Sequence, residues 1–192
     1  MGGARIEYDL DIERVSTALN NAARALDTEG QALLLSDIGE YLVRSTRDRA
    51  AAQVSPDGTP WAALSPRYAK WKERQRPGVP KLKFDNHMIG DQFTHQVDGT
   101  TLYVGTNAPY GAIHQQGGEI HIAARSQQAY FHERNGEVSP HFVNKRKSNF
   151  AQWVTLPAYT IKMPARPWLG VSEQDANEIV QLTLDHLAAA VG

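Results

Sequence analysis

The sequence has 192 residues, 41% hydrophobic and 21% charged, which suits one globular domain and leaves no apolar run long enough to span a membrane. Because the chain contains no cysteine, disulfides, thiolate catalysis and cysteine-ligated zinc are excluded. The formal net charge of −1 is unevenly distributed: residues 1–40 carry three arginines against eight acids, residues 67–83 carry seven basic residues against Glu73, and the segment from Ser172 has four acids and no Lys or Arg.

Helices are predicted at the N-terminal end of the chain. Apolar residues recur at steps of three and four over residues 11–27, which predicts an amphipathic helix. A second helix is expected over about residues 31–53, and it ends at the turn sequence VSPDGTPW. Ser65-Pro66 opens a short third helix, RYAKWKERQR, which PGVP at 77–80 ends. The inner face of the second helix is predicted to consist of Leu34, Ile38, Tyr41, Leu42 and Ser45.

The β part is predicted to begin at Phe93. The segments FTHQV and LYVG flank Asp98-Gly99, a dipeptide that tolerates positive φ, so they are predicted to form a hairpin. A short helical turn in APYGAIHQQ should end at Gly117-Gly118, and a strand containing Ile120 and Ile122 should follow. These glycines are interpreted as turn residues, since no phosphate-binding glycine motif is present.

Residues 125–150 differ in character from the rest of the chain. They are long, polar and poorly periodic, so we interpret them as a protruding loop or a mobile β-arm. The two strands that follow, QWVTL and AYTIKM, are predicted to pair with each other.

The end of the chain is predicted to be a stiff strap followed by a helix. Pro164 and Pro167 each fix φ and favour extended geometry at the preceding residue, which predicts an extended segment. Ser172 and Asp175 have the spacing of a capping box at the start of a helix over 172–190. The predicted fold is therefore α+β: one domain over 1–192, with a small antiparallel sheet flanked by N-terminal and C-terminal helices and an inserted arm at 125–150.

No catalytic, cofactor-binding or metal-binding residue is predicted. The histidines do not have H-E-x-x-H spacing, and Ser172 is not in a G-x-S-x-G elbow. We expect His114 to be a hydrogen-bonded, partly buried ring beside Tyr110. A cell-wall hydrolase would require a carboxylate pair, for which Glu119 and Glu133 are available, to converge in a cleft.

Two basic stretches are candidates for contact with phosphates. Lys70, Lys72, Arg74 and Arg76 lie beside Tyr68 and Trp71, which could stack on bases, and Lys145, Arg146 and Lys147 form a second cluster. The alternative that we favour places Tyr68 and Trp71 in the buried stripe of a short helix, with the lysines facing water.

The order of motifs resembles that of a known family. The segments concerned are, in chain order, SPDGTPWAALSPRYAKWK, VGTNAPYGAIHQQGG and FAQWVTLPAYTIKMPARPWLG followed by SEQD. Over roughly residues 30–190 they resemble the phage virion morphogenesis family, the tail-completion proteins of Mu-like and P2-like contractile-tailed phages and prophages. The resemblance implies a structural protein, not an enzyme, that completes the tail at the neck and enables head–tail joining. It also implies a small α+β fold that works as a ring, and the longer arm resembles the Mu-like branch.

The resemblance also suggests partners and location. We expect a homo-oligomeric, hexameric ring that contacts the tail tube and the neck or connector proteins, with possible transient contact with DNA in the lumen and no membrane contact. Because the N-terminus lacks a secretory signal, synthesis is expected in the host bacterial cytoplasm, and the final location is the virion tail or neck. The interface candidates are Pro164, Arg166, Pro167, Trp168, Lys145, Arg146 and Lys147.

Alternatives to this interpretation remain open at the level of sequence. Trp168 and Leu169 would fill the core of their own subunit if they are not part of an interface, whereas Arg166 is expected to be exposed. A head–tail adaptor on the portal side is an alternative function within the same structural class. If residues 67–83 form an exposed basic face, a phage nucleic-acid-binding protein is favoured instead. The segregated charges are solvated faces, complementary faces between copies, or contacts with nucleic acid.

Overall fold

The computed structural model describes residues 12–191. Residues 1–11 and Gly192 lie outside the described residues. They include Glu7, Asp9 and Asp11 of the acidic N-terminal segment, and the N-terminal sequence on which the expectation about a secretory signal is based.

The chain divides into two compact units. The helical unit comprises Met1–Gln116 and Ala165–Gly192, and the ribbon unit comprises Gly117–Pro164. Helices and small antiparallel sheets together confirm the predicted α+β class. The elements of the helical unit are α1 (Ile12–Ala25), α2 (Thr28–Ala52), α3 (Pro66–Gln75), a π-helical turn (His87–Asp91), β1 (Phe93–Asp98), β2 (Thr101–Thr106), α4 (Gly111–Gln116) and α5 (Glu173–Val191).

Helix α2 is the central element of the helical unit, because it packs against α1, α5 and the β1–β2 hairpin. It begins where the Asp27 carboxylate accepts a hydrogen bond from the Gly30 N–H at 2.9 Å, and it ends at Gln53, whose φ of 63° is left-handed. Ile38 is buried on the predicted inner face. Gly39 allows close approach to β1, since a Cβ there would lie 2.5 Å from the His95 ring.

The hydrophobic core of the helical unit lies between α2, the β1–β2 hairpin and the residues that follow the ribbon unit. The π-helical turn contributes two nearly inaccessible side chains, Met88 and Ile89. The predicted hairpin is confirmed, with Asp98 opposite Thr101 at its turn. The buried cluster consists of Val43, Ala50, Trp61, Met88, Ile89, Phe93, Ala108 and Trp168.

Helix α1 is confirmed, but much of its apolar row faces solvent. Val15 and Leu19 are exposed, as is Leu26 just after the end of the helix, although their spacing places all three on one side. The side that α1 turns toward α2 and α5 is formed by smaller residues, of which Ala25 is buried.

The ribbon unit is built from antiparallel strand pairs. β3 pairs with β8, and β4 pairs with β7, while β5 and β6 form a two-residue ladder between β4 and β7. Residues 125–150 therefore contain regular strands and a 3-10 turn at Lys145–Lys147. The strands are β3 (Gly118–Ile122), β4 (Arg125–Phe131), β5 (Glu133–Arg134), β6 (Glu137–Val138), β7 (Phe150–Leu156) and β8 (Tyr159–Met163).

The predicted pairing of QWVTL with AYTIKM is wrong, although both segments are strands. Leu156 of β7 lies opposite Arg125, and Tyr159 of β8 lies opposite Ile122. Pro157 and Ala158 alone connect the two strands, and proline cannot adopt the positive φ that the first position of a tight two-residue hairpin turn needs. Each strand therefore pairs with an earlier one.

Candidate functional site

The strap, defined here as residues 164–170, carries a tryptophan that belongs to the core. Trp168 is 3% exposed, and its ring meets Phe93 edge-to-face with centroids 5.5 Å apart. Its indole N–H donates a hydrogen bond to the Gly111 carbonyl at 3.1 Å. The alternative in which Trp168 fills its own subunit's core is therefore the one that the structure adopts.

Side chains from two other elements hold the strap backbone. The Gln115 side-chain oxygen accepts from the Trp168 and Leu169 N–H groups at 2.9 and 3.0 Å, and its amide donates to the Leu169 carbonyl at 2.8 Å. The indole N–H of Trp61 donates to the Pro167 carbonyl at 2.8 Å. Because the prolines and these bonds act together, the strap backbone has little conformational freedom left to lose.

Arg166 is also internal, and the expectation that it is exposed is wrong. It is 3% exposed, and its guanidinium donates to the carbonyls of Ala62 and Ala63, each at 2.8 Å. Its backbone N–H donates to the His114 carbonyl at 2.7 Å. Burial lowers the pKa of the Arg166 guanidinium from its ordinary value, as expected for a cation removed from water. The Arg166 side chain turns inward because the Ala62 and Ala63 carbonyls accept its hydrogen bonds there.

The other interface candidates occupy different environments. Pro164 is exposed and Pro167 is half-buried. Lys145, Arg146 and Lys147 are all exposed on the 3-10 turn, and the Lys145 ammonium lies 5.9 Å from the centre of the Tyr130 ring. Their role at an interface stays a prediction.

The capping box at the start of α5 is confirmed, and it forms one half of a larger polar cluster. Ser172 and Asp175 exchange hydrogen bonds between side chain and backbone at 2.8 and 3.1 Å. The fully buried Asp175 carboxylate also accepts from Tyr41 at 3.1 Å and from Ser45 and Arg49, each at 2.5 Å. The cluster therefore joins α2 to the start of α5.

Arg49 connects this cluster to the strap. Its second terminal nitrogen donates to the Gly170 carbonyl at 2.7 Å. Sequence reasoning identified Asp175 as a cap, and Tyr41 and Ser45 as inner-face residues, but missed Arg49. The signal was present, because Tyr41, Ser45 and Arg49 recur every four residues along one side of α2.

The cluster shifts the pKa values of its acids in opposite directions. Burial would raise the pKa of Asp175, but hydrogen bonds from Ser45 and Ser172 and the charge of Arg49 outweigh it, so the pKa of Asp175 is lowered. The pKa of Tyr41 is raised, first by burial and then by its hydrogen bond to the Asp175 carboxylate. Asp175 therefore stays ionised and Tyr41 stays neutral near pH 7.

The favoured expectation for α3 is wrong for its two aromatic residues and for Lys72, whereas Lys70 faces water as expected. Tyr68 and Trp71 are each 42% exposed, whereas Lys72 is 5% exposed and donates to the Val79 carbonyl. The chain turns back after α3 at PGVP, which supplies that carbonyl beneath the helix. The predicted stripe thus points to solvent.

The exposed rings of α3 form a short aromatic ladder. Tyr68 contacts Trp71 with centroids 5.4 Å apart, and Trp71 stacks on Phe84 at the same distance with an interplanar angle of 16°. The Arg76 guanidinium lies 5.6 Å from the centre of the Phe84 ring. Residues 67–83 therefore present basic and aromatic groups together at the surface.

The remaining residues singled out from the sequence are the carboxylates Glu119 and Glu133 and the histidine His114. Glu119 forms an exposed ion pair with Lys162 at 3.5 Å, whereas Glu133 lies on β5. His114 lies beside Tyr110 with ring centroids 6.1 Å apart, but its buried Nδ1 has no hydrogen-bond partner within residues 12–191, which differs from the expectation. Burial, and then the charge of Arg166, lowers the pKa of His114.

Two further properties concern the described part of the chain as a whole. Within it, His, Asp and Glu side chains do not gather in any group of three or more that could hold a metal ion. None of its helices combines the length and the apolar character needed to cross a membrane.

Comparisons with known proteins give a consistent result. The family model described as "Phage virion morphogenesis family" matches residues 10–188. Tail completion protein S of Escherichia phage P2 is 25% identical over 177 residues, which cover 92% of this chain and 97% of that protein. No solved structure matches.

Proposed function

This chain belongs to the phage virion morphogenesis family, and on that premise we propose that it is a structural, non-enzymatic protein that completes the tail of a contractile-tailed phage or prophage. The observation that carries the proposal is the similarity to a tail completion protein along nearly the whole of both chains. Similarity of this extent supports a shared role for the whole chain rather than for one shared module.

In this proposal the protein acts at the neck end of the tail as a homo-oligomeric ring, with the tail tube and the neck or connector proteins as its partners. The exposed apolar residues of α1 and α5 support assembly, because soluble monomers rarely leave such rows uncovered. Pro164 at the surface is a rigid contact point for a neighbour, whereas the buried Arg166 and Trp168 position the strap from within. The same role gives the protein a place in the virion after synthesis in the host cytoplasm.

Contact with DNA is a second part of the proposal. Lys145, Arg146 and Lys147 are consecutive, exposed cations on one short turn, which is a geometry suited to transient, sequence-independent contact with phosphates. Such contact would fit DNA that passes through the lumen of a ring.

Complementation of phage extracts tests the proposed function. A prophage from which the gene is deleted should yield DNA-filled heads and tails that do not join, and adding the purified protein should restore infectious particles. Pre-incubating the protein with purified tails, or separately with purified heads, distinguishes the two sides of the neck. Tail completion requires that treated tails become competent to join. If only treated heads become competent, the protein is an adaptor on the portal side, and if the deletion leaves normal particles, the proposal is wrong.

A further inference from the structure

One surface of the helical unit combines positive charge with exposed rings. We define the basic-aromatic surface as the outward side of α3, consisting of Arg67, Tyr68, Lys70, Trp71 and Arg74. All five side chains are exposed, and Glu73 is the acidic residue that accompanies them on the helix. Trp, Tyr and Arg are the residue types that contribute most to protein–protein binding energy.

A second surface of the same unit has the opposite character. Val180, Leu184 and Val191 are exposed and, by their spacing, lie on one side of α5. Glu173 lies at the N-terminal end of this row. The exposed acids Glu178 and Asp185 lie together on the other edge of the exposed side of α5, roughly 120–140° around the helix axis from the row. The helix contains no Lys or Arg. We define these six residues as the acidic-apolar surface.

We propose that the basic-aromatic surface of one copy docks on the acidic-apolar surface of a second copy. The charges are complementary, and each surface supplies exposed apolar side chains beside its charges, as protein interfaces require. The proposal rests on the proposed function, because assembly of this chain with itself is what that function needs. α1 is a less suitable acceptor, because it carries Arg14 and Arg24 and a single acid, Glu13.

A second copy fits the basic-aromatic surface better than a nucleic acid does. In proteins that bind single-stranded nucleic acid, the bases stack on open faces of aromatic rings. Here Trp71 contacts both Tyr68 and Phe84, and Arg76 lies over Phe84. A ladder of this kind offers ring edges and a flat apolar side, which suit the leucine and valine side chains of α5.

The contact has a consequence for symmetry. Because the two surfaces are different, each copy that donates α3 to one neighbour still has its α5 surface free for another. Head-to-tail contacts of this type close into rings when the rotation between copies allows it, and otherwise form filaments. The proposed docking therefore needs no separate interface to form a ring, provided that the rotation between copies closes.

Charge reversal followed by mixing tests the proposal on the full-length chain. The first variant is Arg67→Glu with Lys70→Glu, which places acids near the N-terminus of α3, where the helix dipole favours them. The second is Glu178→Lys with Asp185→Lys, which changes exposed residues of α5. Each variant alone should self-associate on the order of 100-fold more weakly, because like charges now face each other. An equimolar mixture should recover assembly, since both contacts become complementary again.

Sedimentation velocity gives the assembly state of each sample, and circular dichroism verifies the fold. Arg125→Glu with Arg134→Glu, exposed positions of the ribbon unit with the same change of charge, is the matched control and should assemble normally. Wild-type protein that stays monomeric, a first variant that assembles normally, or a mixture that does not recover would each overturn the proposal. Loss of binding to a 20-base-pair DNA duplex by the first variant, with unchanged assembly, would assign α3 to nucleic acid instead.

The extract assay separates this inference from the proposed function. If both variants complement the deleted prophage, the docking is wrong while tail completion stands. If the mixture recovers assembly but deletion of the gene leaves tails complete, the docking stands and the proposed function fails.

Discussion

Trp168 and Trp71 lie in similar sequence contexts, each near a proline and basic residues, yet one is 3% exposed and the other 42%. Trp168 meets Phe93 and the Gly111 carbonyl, which other elements bring to the same place. The rings of Tyr68 and Phe84, which Trp71 contacts, come from α3 and from the segment that follows it. A buried partner supplied from a distant part of the chain, rather than residue type, therefore decides which tryptophan is structural and which is available for binding.

The largest expected effect is the loss of stability on truncating the buried ring. Trp168→Ala should lower the free energy of unfolding by about 3–5 kcal/mol, because it leaves a cavity against Phe93 and an unpaired Gly111 carbonyl. Urea denaturation at a concentration where the protein is monomeric measures this loss. A loss below about 1 kcal/mol would mean that Trp168 is not a core residue.

Breaking the buried ion pair should have the next largest effect. Asp175→Asn keeps the shape of the side chain but leaves the Arg49 guanidinium without its charged partner, at a cost of about 2–4 kcal/mol. Asp185→Asn on the exposed side of the same helix is the matched control and should change stability by less than about 0.5 kcal/mol. Equal effects of the two substitutions would show that the cluster does not hold α5 to α2.

The ion pair between Arg49 and Asp175 predicts how the stability of the fold depends on pH. Because the pKa of Asp175 is lowered in the folded protein, its contribution is present above its ordinary value of 3.8 and is lost as the pH falls through the folded pKa. The lowered pKa of His114 acts in the same direction, beginning below its ordinary value of 6.5. Thermal melts from pH 8 to pH 3 should show a steeper loss at the acidic end for the wild type than for Asp175→Asn. If the melting temperatures of the wild type and Asp175→Asn fall in parallel with pH, Asp175 does not make this contribution to stability.

Removing the buried guanidinium should have an intermediate effect. Arg166→Ala deprives the Ala62 and Ala63 carbonyls of their donors, which should cost about 1–3 kcal/mol of stability. Arg74→Ala, at an exposed position of α3, is the control and should be nearly neutral in the same denaturation experiment. If Arg166→Ala is neutral too but abolishes assembly, the side chain acts at an interface, as its sequence context suggested.

The smallest effect on stability is expected at the exposed ring. Trp71→Ala should cost about 0.5–1 kcal/mol, because it removes stacking on Tyr68 and Phe84 without opening a cavity in the core. The same substitution should weaken self-association more than it weakens the fold, as sedimentation at matched concentrations would show. A loss of several kcal/mol in unfolding would place Trp71 in the core and remove the distinction from Trp168.

Local signals in the sequence predicted many of the elements but few of their environments. Asp98-Gly99 identified a hairpin, and Ser172 with Asp175 identified a helix start, because each depends on residues close in the chain. The environments of Arg166 and Tyr68 could not be predicted in this way. Arg166 depends on the carbonyls of Ala62 and Ala63, which tertiary structure brings to it, and Tyr68 is exposed because Lys72 takes the inner side of α3 by donating to the Val79 carbonyl.

Strand pairing shows the same limit. The strands β7 and β8 were predicted from their β-branched and aromatic residues, but their partners β3 and β4 lie many residues earlier. In the Asp175 cluster, the i, i+4 spacing of Tyr41, Ser45 and Arg49 indicated one helix face, and only the packing of α5 shows what that face binds.

The central claim is that this chain is a structural part of the completed tail. Quantitative mass spectrometry of purified virions, after heads and tails are separated, tests it directly. The chain should remain with the tails in several copies per particle, as a ring requires. Recovery of the chain with the heads, or its absence from virions that join and infect normally, would contradict that claim.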